Sequence, residues 1–515
     1  MSVAVHVRDA LKQTIPNPPP KHTMSVPNPE VRLSEATLAK LPAEVQVPTY
    51  RREHLTLSIV HIGVGGFHRA HQAVYLENLL NARGTSWGEC GVGLLPQDAR
   101  MKEALHSQQN LYTVFTRGKD VQSAQVVGAI TKYLYATESA EAVLEQIAGP
   151  ETRIVSLTVT EGGYCLNEGS GELDAGHPDI VHDLENRQSP RGVLGYLVEA
   201  LNRRRQRGLL PFTILSCDNL PGNGDVTRKA VLSFASLRDE SLCSWIETNV
   251  TFPNGMVDGI TPVTRESDRE ALRDIFGIED AWPVVTEPFR QWVLEDRFCN
   301  GRPKWEDAGV QFTGHVAPYE KMKLRLLNAG HSALGYLGVL RGFEFVHEAA
   351  ADPTLREFLR QFLNDVTPLI PELPGFDVEQ YKQTLLERFS NPAIRDQISR
   401  ICSDGSAKLP KFILPSIREL LEKGRSTERL SLVIAGWLIY VGGEDERGRS
   451  IEVLDARKAE LSARVSAAGD NPAVLLAMRD LFGSLVDQET WLTEVHRLLR
   501  ALRQRSVTEV LKSWP

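Results

Sequence analysis

Ser58-Ile59-Val60-His61-Ile62-Gly63-Val64-Gly65-Gly66-Phe67-His68 is the stretch that decides the fold class. A short β-branched run stops at a glycine, two more glycines follow, and a long helical pattern then runs from about Phe67 to Ala82. Gly84 stands where a helix-ending residue belongs. In such a strand–turn–helix unit the first glycine permits the tight turn, and the second lets the backbone approach a pyrophosphate. The helix N-terminus offers free N–H groups and a partial positive charge to the same group. His68 occupies the third position of the usual glycine pattern, and a glycine loop alone is also compatible with a purely structural turn. Its place between strand and helix favours a dinucleotide held by Gly63, Val64, Gly65, Gly66 and Phe67.

Working outward, Cys90-Gly91-Val92-Gly93-Leu94 reads as the next strand, with Asp98 just beyond its end. An acidic side chain there accepts hydrogen bonds from ribose hydroxyls and repels a 2′-phosphate, which favours NAD over NADP. Asp98 lies farther from the glycines than the usual ~20 residues, and a long first crossover helix accounts for the difference. The competing reading is an ordinary loop aspartate. Further strands are predicted at Tyr112–Phe115, Ile154–Thr160 and Phe212–Cys217, with a helix at Gly192–Arg205. Strands alternating with helices indicate a parallel sheet with crossover connections.

The texture changes near residue 312. From there the patterns are helical: Tyr319–Leu340, Thr354–Val366, Val378–Arg388, Ser416–Lys423, Leu430–Val441, Pro472–Leu485 and Thr490–Leu511. The fold class is therefore α/β, with an N-terminal Rossmann-like parallel-sheet domain at 51–312 and an all-helical C-terminal domain at 313–515. Residues 1–50 are set apart by Asn17-Pro18-Pro19-Pro20 and Pro27-Asn28-Pro29, which deny the chain a regular helix or central strand. An extended arm is expected, ending in a short helix near Ser34–Lys40.

Composition narrows the function. The 515 residues are 42% apolar and 24% charged, with 39 glycines and 29 prolines, an ordinary globular balance. A net charge of -8 removes the compositional case for nucleic-acid binding. The longest apolar run, Leu430 to Val441, is short of the ~20 residues of a membrane span. No secretory signal is read at the N-terminus, and six scattered cysteines without a CxxC pair suit reduced thiols of a cytoplasmic protein.

The chemistry is concentrated in Lys321-Met322-Lys323-Leu324-Arg325-Leu326-Leu327-Asn328-Ala329-Gly330-His331. On a helix turning about 100° per residue, Lys323, His331 and Asn328 fall at about 0°, 80° and 140°, bordering one cleft. Lys323 and His331 are then about 12 Å apart along the axis at ~1.5 Å per residue. The bland alternative makes Lys321, Lys323 and Arg325 a solvated face. Asn219 ends the strand at Phe212–Cys217 and enters a turn, at the sheet end where ligands bind; an Asx turn is the competing account. His68 and His71 stand i, i+3, but no Cys/His ligand set of the kind a catalytic zinc needs is read, and no metal is expected.

The glycine segment through Gln72, Thr160-Glu161-Gly162-Gly163-Tyr164, Ser216-Cys217-Asp218-Asn219 and the Lys323…Asn328…His331 spacing together resemble the polyol-specific long-chain dehydrogenases, over about residues 55 to 510. The resemblance implies NAD-dependent interconversion of a sugar alcohol and its ketose, D-mannitol and D-fructose first, by a metal-free monomer. It makes Lys323 the general acid/base, Asn219 and Asn328 the holders of the reacting oxygen, and His331 the substrate-orienting group. Glu320 becomes a proton relay, Asp258 a partner of substrate hydroxyls, and Arg400 and Lys408 substrate-side residues. A lysine of ordinary pKa, near ~10.4, is a poor base at neutral pH. Burial and a positive nicotinamide ring would lower it, and amides donating to a forming alkoxide stabilise charge where it develops.

Within the resemblance, reduction of fructuronate and oxidation of D-arabinitol remain open, since Arg400 and Lys408 suit a carboxylate. A catalytically silent NAD-binding regulator is the alternative of another class. It would keep Gly63, Gly65 and Asp98 without needing a lysine, two asparagines and a histidine together.

Overall fold

The β-branched run around Ile59 becomes the Thr56–Ile62 strand, the middle of a five-stranded parallel sheet in the computed structural model. The structure describes residues 30–167, 169–468 and 473–514. Trp87–Gly93 and Ile154–Leu157 flank the central strand, with Ile130–Tyr135 and Thr213–Ser216 outside them. The chain builds outward to one edge, returns to the centre and builds to the other. Ligands of open α/β sheets bind where that direction reverses. Gly63 directly follows the central strand, beside the reversal.

Side chains alternate across this sheet. Val60, Ile62, Val155 and Leu157 pack with Val143, Leu197 and Phe234, from the helices Ala140–Ala148, Val193–Gln206 and Asn223–Arg238. Ile59 and Ile154 face the other layer, with Leu76, Leu79, Met101 and Leu105. Each such side chain removed from water contributes roughly 1.5–3 kcal/mol.

Two expectations need correction in this region. Tyr112–Arg117 does not join the parallel sheet. It lies in a separate three-stranded sheet, antiparallel to Gln122–Val127 and parallel to Val284–Thr286. The short connection at 118–121 can close only an antiparallel pair. The long helix expected after the glycines is interrupted at His71, dividing it into Gly66–Ala70 and Gln72–Arg83. The His71 ring pairs with the Gln291 carbonyl at 2.9 Å and packs on Phe67, Tyr75 and Trp292, anchoring the break.

A third sheet orders Gln311–Thr313, Gln291–Glu295 and Gly255–Asp258, strands too short to stand out by pattern. Residues 1–29 of the expected arm lie outside the described residues. Residues 30–50 are not a separate arm: Val31–Arg32 pairs with Ile278–Glu279, and Leu33 and Val45 are buried with Leu111, Phe115 and Phe276. Glu35–Lys40 forms a 3-10 helix after Ser34.

The structure divides into two compact units at Ala317 and Pro318. The second unit is helical. Its centre is Glu428–Val441, packed on Ala329–Leu340 and Glu489–Gln504, with the Trp491 indole donating to Ser431 Oγ at 3.0 Å. None of the described helices is long and apolar enough to cross a membrane. Of the helix expected at Pro472–Leu485, the described part is short turns at Ala473–Leu476 and Arg479–Phe482, ended by Gly483 at φ +59°. The last long helix breaks before Ser506, whose side chain accepts from Glu509 N–H and starts Val507–Lys512.

Candidate active site

In the first unit the glycine turn is built by steric necessity. Gly63 has φ +94°, and a Cβ there would lie 2.3 Å from the Thr158 carbonyl oxygen. The Thr158 hydroxyl donates to the Gly63 carbonyl at 2.7 Å, so the turn is clamped to the end of the neighbouring strand. A Cβ on Gly65 or Gly66 would meet nothing closer than 3.6 Å, so the backbone of the turn is open to a ligand. Gly65 then caps Gly66–Ala70, presenting N–H groups on that open side. Val64 is buried and Phe67 half-buried beside it.

Beneath the turn lies a cluster that sequence reasoning missed. The His61 and His68 rings stack at 3.4 Å, only 7° from parallel. His61 pairs with Ser156 Oγ at 2.8 Å and Thr158 Oγ1 at 2.9 Å, joining the stack to the clamp. His68 Nε2 is 2.9 Å from Glu89 Oε1, at an angle outside hydrogen-bond alignment. All three side chains are buried. Burial holds His61 well below the ordinary histidine range, with His68 adding to the effect. Burial and then Arg69 bring His68 down to about 3, and burial pushes Glu89 up to about 7.

Asp98 ends a turn at Pro96–Asp98, where its carboxylate accepts from Leu95 N–H at 2.9 Å. A Cβ on Gly93 would strike Asp98 Cβ at 2.5 Å and the Tyr133 hydroxyl at 2.4 Å, so this glycine lets the aspartate lie against the strand end. The buried Tyr133 hydroxyl has no hydrogen-bond partner among the described residues. An open glycine turn, a carboxylate and an unused hydroxyl at the second strand suit a dinucleotide's pyrophosphate and ribose.

Asn219 is exposed on the turn after Thr213–Ser216, and its neighbours explain how that turn is held. The buried Asp218 carboxylate accepts from Thr160 N–H at 2.8 Å, Val159 N–H at 3.3 Å and the Tyr164 hydroxyl at 2.6 Å. Those bonds secure Thr160 at φ +62°, a conformation that costs a β-branched residue free energy and collects at functional sites. Burial raises the Asp218 pKa, against the lowering effect of these donors. The Asn223 amide donates to the carbonyls of Asp218 at 3.1 Å and Gly255 at 2.8 Å, and its oxygen accepts from Gly255 N–H at 2.9 Å. It thereby ties the Asn219 turn to the Gly255–Asp258 strand, which ends on the buried Asp258.

In the second unit Ala317–Lys323 runs through a π-helical turn, Leu324–Asn328, into Ala329–Leu340. The uniform 100° step assumed from the sequence therefore fails here. A π-turn takes more residues per revolution, so Asn328 is rotated back towards the face of Lys323 compared with an ideal α-helix. Lys321 and Arg325, one turn apart, both reach Glu419, at 3.4 Å and 2.5 Å. Lys323 and Arg325 are both buried and Lys321 is half-buried, which corrects the reading of all three as one solvated face. Glu320 is half-buried one turn before Lys323, Asn328 is buried, and the His331 ring packs on Phe389 at 4.2 Å.

Arg400 pairs with Asp396, Nε to Oδ1 at 2.7 Å, on the exposed side of Ile398–Cys402. Lys408 Nζ donates to the carbonyls of Arg400 at 3.2 Å and Ile401 at 3.3 Å, a capping arrangement for that helix. Beginning at Cys165, the residue after Tyr164, the fold also gathers Cys165, His177 and Asp179, a mixed ligand set invisible as a spacing in sequence.

Family comparisons match residues 57–307 to the mannitol dehydrogenase Rossmann domain and 315–503 to the mannitol dehydrogenase C-terminal domain. A mannitol 2-dehydrogenase of Aspergillus fumigatus is 46% identical over 94% of this chain and 99% of its own length. The chain belongs to the mannitol dehydrogenase family. Another family member, from Aspergillus terreus, is 47% identical over the same shares. Among solved mannitol dehydrogenase structures, the Pseudomonas fluorescens mannitol 2-dehydrogenase ternary complex with NAD and D-mannitol matches at TM-score 0.86 and 47% identity, covering 94% of this chain and 99% of that one. A D-sorbitol dehydrogenase in substrate-free form matches at TM-score 0.85 and 39% identity, covering 93% and 100%. The family's two-domain plan, a Rossmann domain followed by a helical domain, is the plan of the two units.

Proposed function

We propose that this member of the mannitol dehydrogenase family is an NAD-dependent polyol dehydrogenase whose principal pair is D-mannitol and D-fructose. The observation that carries the reading is the near-full-length match to the Pseudomonas fluorescens enzyme bound to NAD and D-mannitol. NAD, when bound, supplies the hydride acceptor. Gly63, Val64, Gly65, Gly66 and Phe67 cradle its pyrophosphate, and Asp98 accepts from its ribose hydroxyls.

Lys323 removes the hydroxyl proton of the alcohol and returns it in the reverse direction. Asn219 and Asn328 donate amide N–H groups to the oxygen as it gains charge, an arrangement that lowers the barrier without adding a formal charge. His331, held against Phe389, orients the substrate. Asp258 accepts from its hydroxyls, Glu320 passes the proton on to water, and Arg400 and Lys408 stand on the substrate side. No metal takes part in this scheme. The protein acts in the cytoplasm, a reading supported by six unbonded cysteines, and as a monomer, as the family resemblance implies.

The test follows NADH absorbance with D-fructose and D-fructuronate as reducible substrates, and NAD reduction with D-mannitol, D-arabinitol and D-sorbitol. The sorbitol arm is motivated by the second solved relative. Rapid turnover with fructose and mannitol, slow turnover with NADPH, and full activity in a chelator are expected. Turnover confined to fructuronate, or to another polyol, overturns the substrate assignment; activity lost to the chelator and restored by zinc overturns the metal-free scheme.

A further inference from the structure

We infer that Cys165, His177 and Asp179 form a binding site for a divalent ion of the zinc class. Each offers one ligand atom, and the three atoms lie within 4.8 Å of one another. The backbone brings them together: Cys165 sits at φ +49°, its carbonyl accepts from Asp174 N–H at 2.8 Å, and Leu166 and Leu173 form an antiparallel bridge. His177 then caps the Pro178–Glu185 helix, accepting from Asp179 N–H at 3.3 Å, so Asp179 lies in the first turn beside it.

Thiolate, imidazole and carboxylate are the side chains that bind zinc in tetrahedral sites, with water in the remaining position. Zinc–ligand bonds of about 2.0–2.3 Å place ligands roughly 3.5 Å apart. The set must therefore close by about 1 Å, which the half-exposed His177 and Asp179 side chains can supply. Cys165 is buried at the inner end, so the site has a wall and an entry from solvent. Its thiol has only weak contacts, with the carbonyls of Gly162 and Gly163 at 3.9 and 4.0 Å, and no disulfide partner. Burial first, and then Asp179, Asp183 and Asp174, push this thiol up to about 11, and the same carboxylates attract cations. As the ion binds, the thiol proton leaves to solvent and the sulfur lone pair forms the metal bond.

None of the three residues belongs to the proposed reaction, so this inference stands or falls separately from the catalytic one. The test titrates the full-length, metal-free protein with cobalt(II), whose bonds to thiolate give charge-transfer absorption. One equivalent per chain is expected, displaced by one equivalent of zinc. Cys165→Ser should abolish the band, and Asp179→Asn should weaken cobalt binding about tenfold or more, both with unchanged circular dichroism. A wild-type titration without the band, a band that survives Cys165→Ser, or unaltered affinity in Asp179→Asn overturns the site.

Discussion

Lys321 and Lys323 stand two residues apart on one helix and meet opposite surroundings. The first reaches Glu419 at the surface, while the second is buried one turn from Glu320. A buried amine needs a reason, since burial disfavours its charge, and proton exchange with substrate provides one. Lys323→Ala is expected to lower kcat by at least about 10²–10⁴-fold, the usual contribution of a general acid/base, while NADH binding followed by fluorescence stays intact. Near-normal turnover in that variant would remove Lys323 from the mechanism.

At the scale of elements, the strand–glycine–helix unit depends on one residue having no side chain. Gly63→Ala combines a positive φ with a Cβ driven into the Thr158 carbonyl, for an expected cost on the order of 2–4 kcal/mol. It should raise KM for NAD at least about tenfold, because the pyrophosphate turn itself is displaced. Gly84→Ala is the control: its φ is +60°, but nothing lies within 4 Å of the added Cβ. About 1–2 kcal/mol and an unchanged KM are expected there, read by thermal unfolding and steady-state kinetics. The Gly63 turn and the strand before it are legible in the sequence because local sterics and a β-branched run dictate them. The His71 break was not, because it answers to Gln291 and Trp292, remote in sequence. The π-turn is not legible either, because a helical pattern counted at a uniform step hides a local change of pitch. The anchoring roles of Asp218 and Asn223 are not legible in sequence because their partners, Thr160 and Gly255, come from other elements. The expected Thr490–Leu511 helix runs through Ser506 and Glu509, a local cap signal in the sequence that does break it.

For the whole molecule, the His61–His68–Glu89 cluster couples stability to pH in two opposed ways. Glu89 holds its proton more tightly when folded, so its contribution is full below about 4.5 and is lost as pH rises through about 7. His68 does the reverse: its contribution is full above 6.5 and is lost as pH falls towards about 3. Glu89→Gln removes only the first effect. In urea unfolding, the stability of wild type relative to this variant should fall by on the order of 2–3 kcal/mol between pH 4.5 and pH 8; a pH-independent difference would show that Glu89 is not protonated in the fold. The π-turn carries a different consequence, one of mutational history. Its extra residue is absorbed within the turn itself, so deleting one residue from Leu324–Leu327 would leave Ala329–Leu340, a helix buried on nearly every side, in nearly the same phase against its neighbours. A single-residue deletion therefore offers descendants of this chain a way back to a plain α-helix, with Lys323 and Asn328 then four residues apart and still on one face.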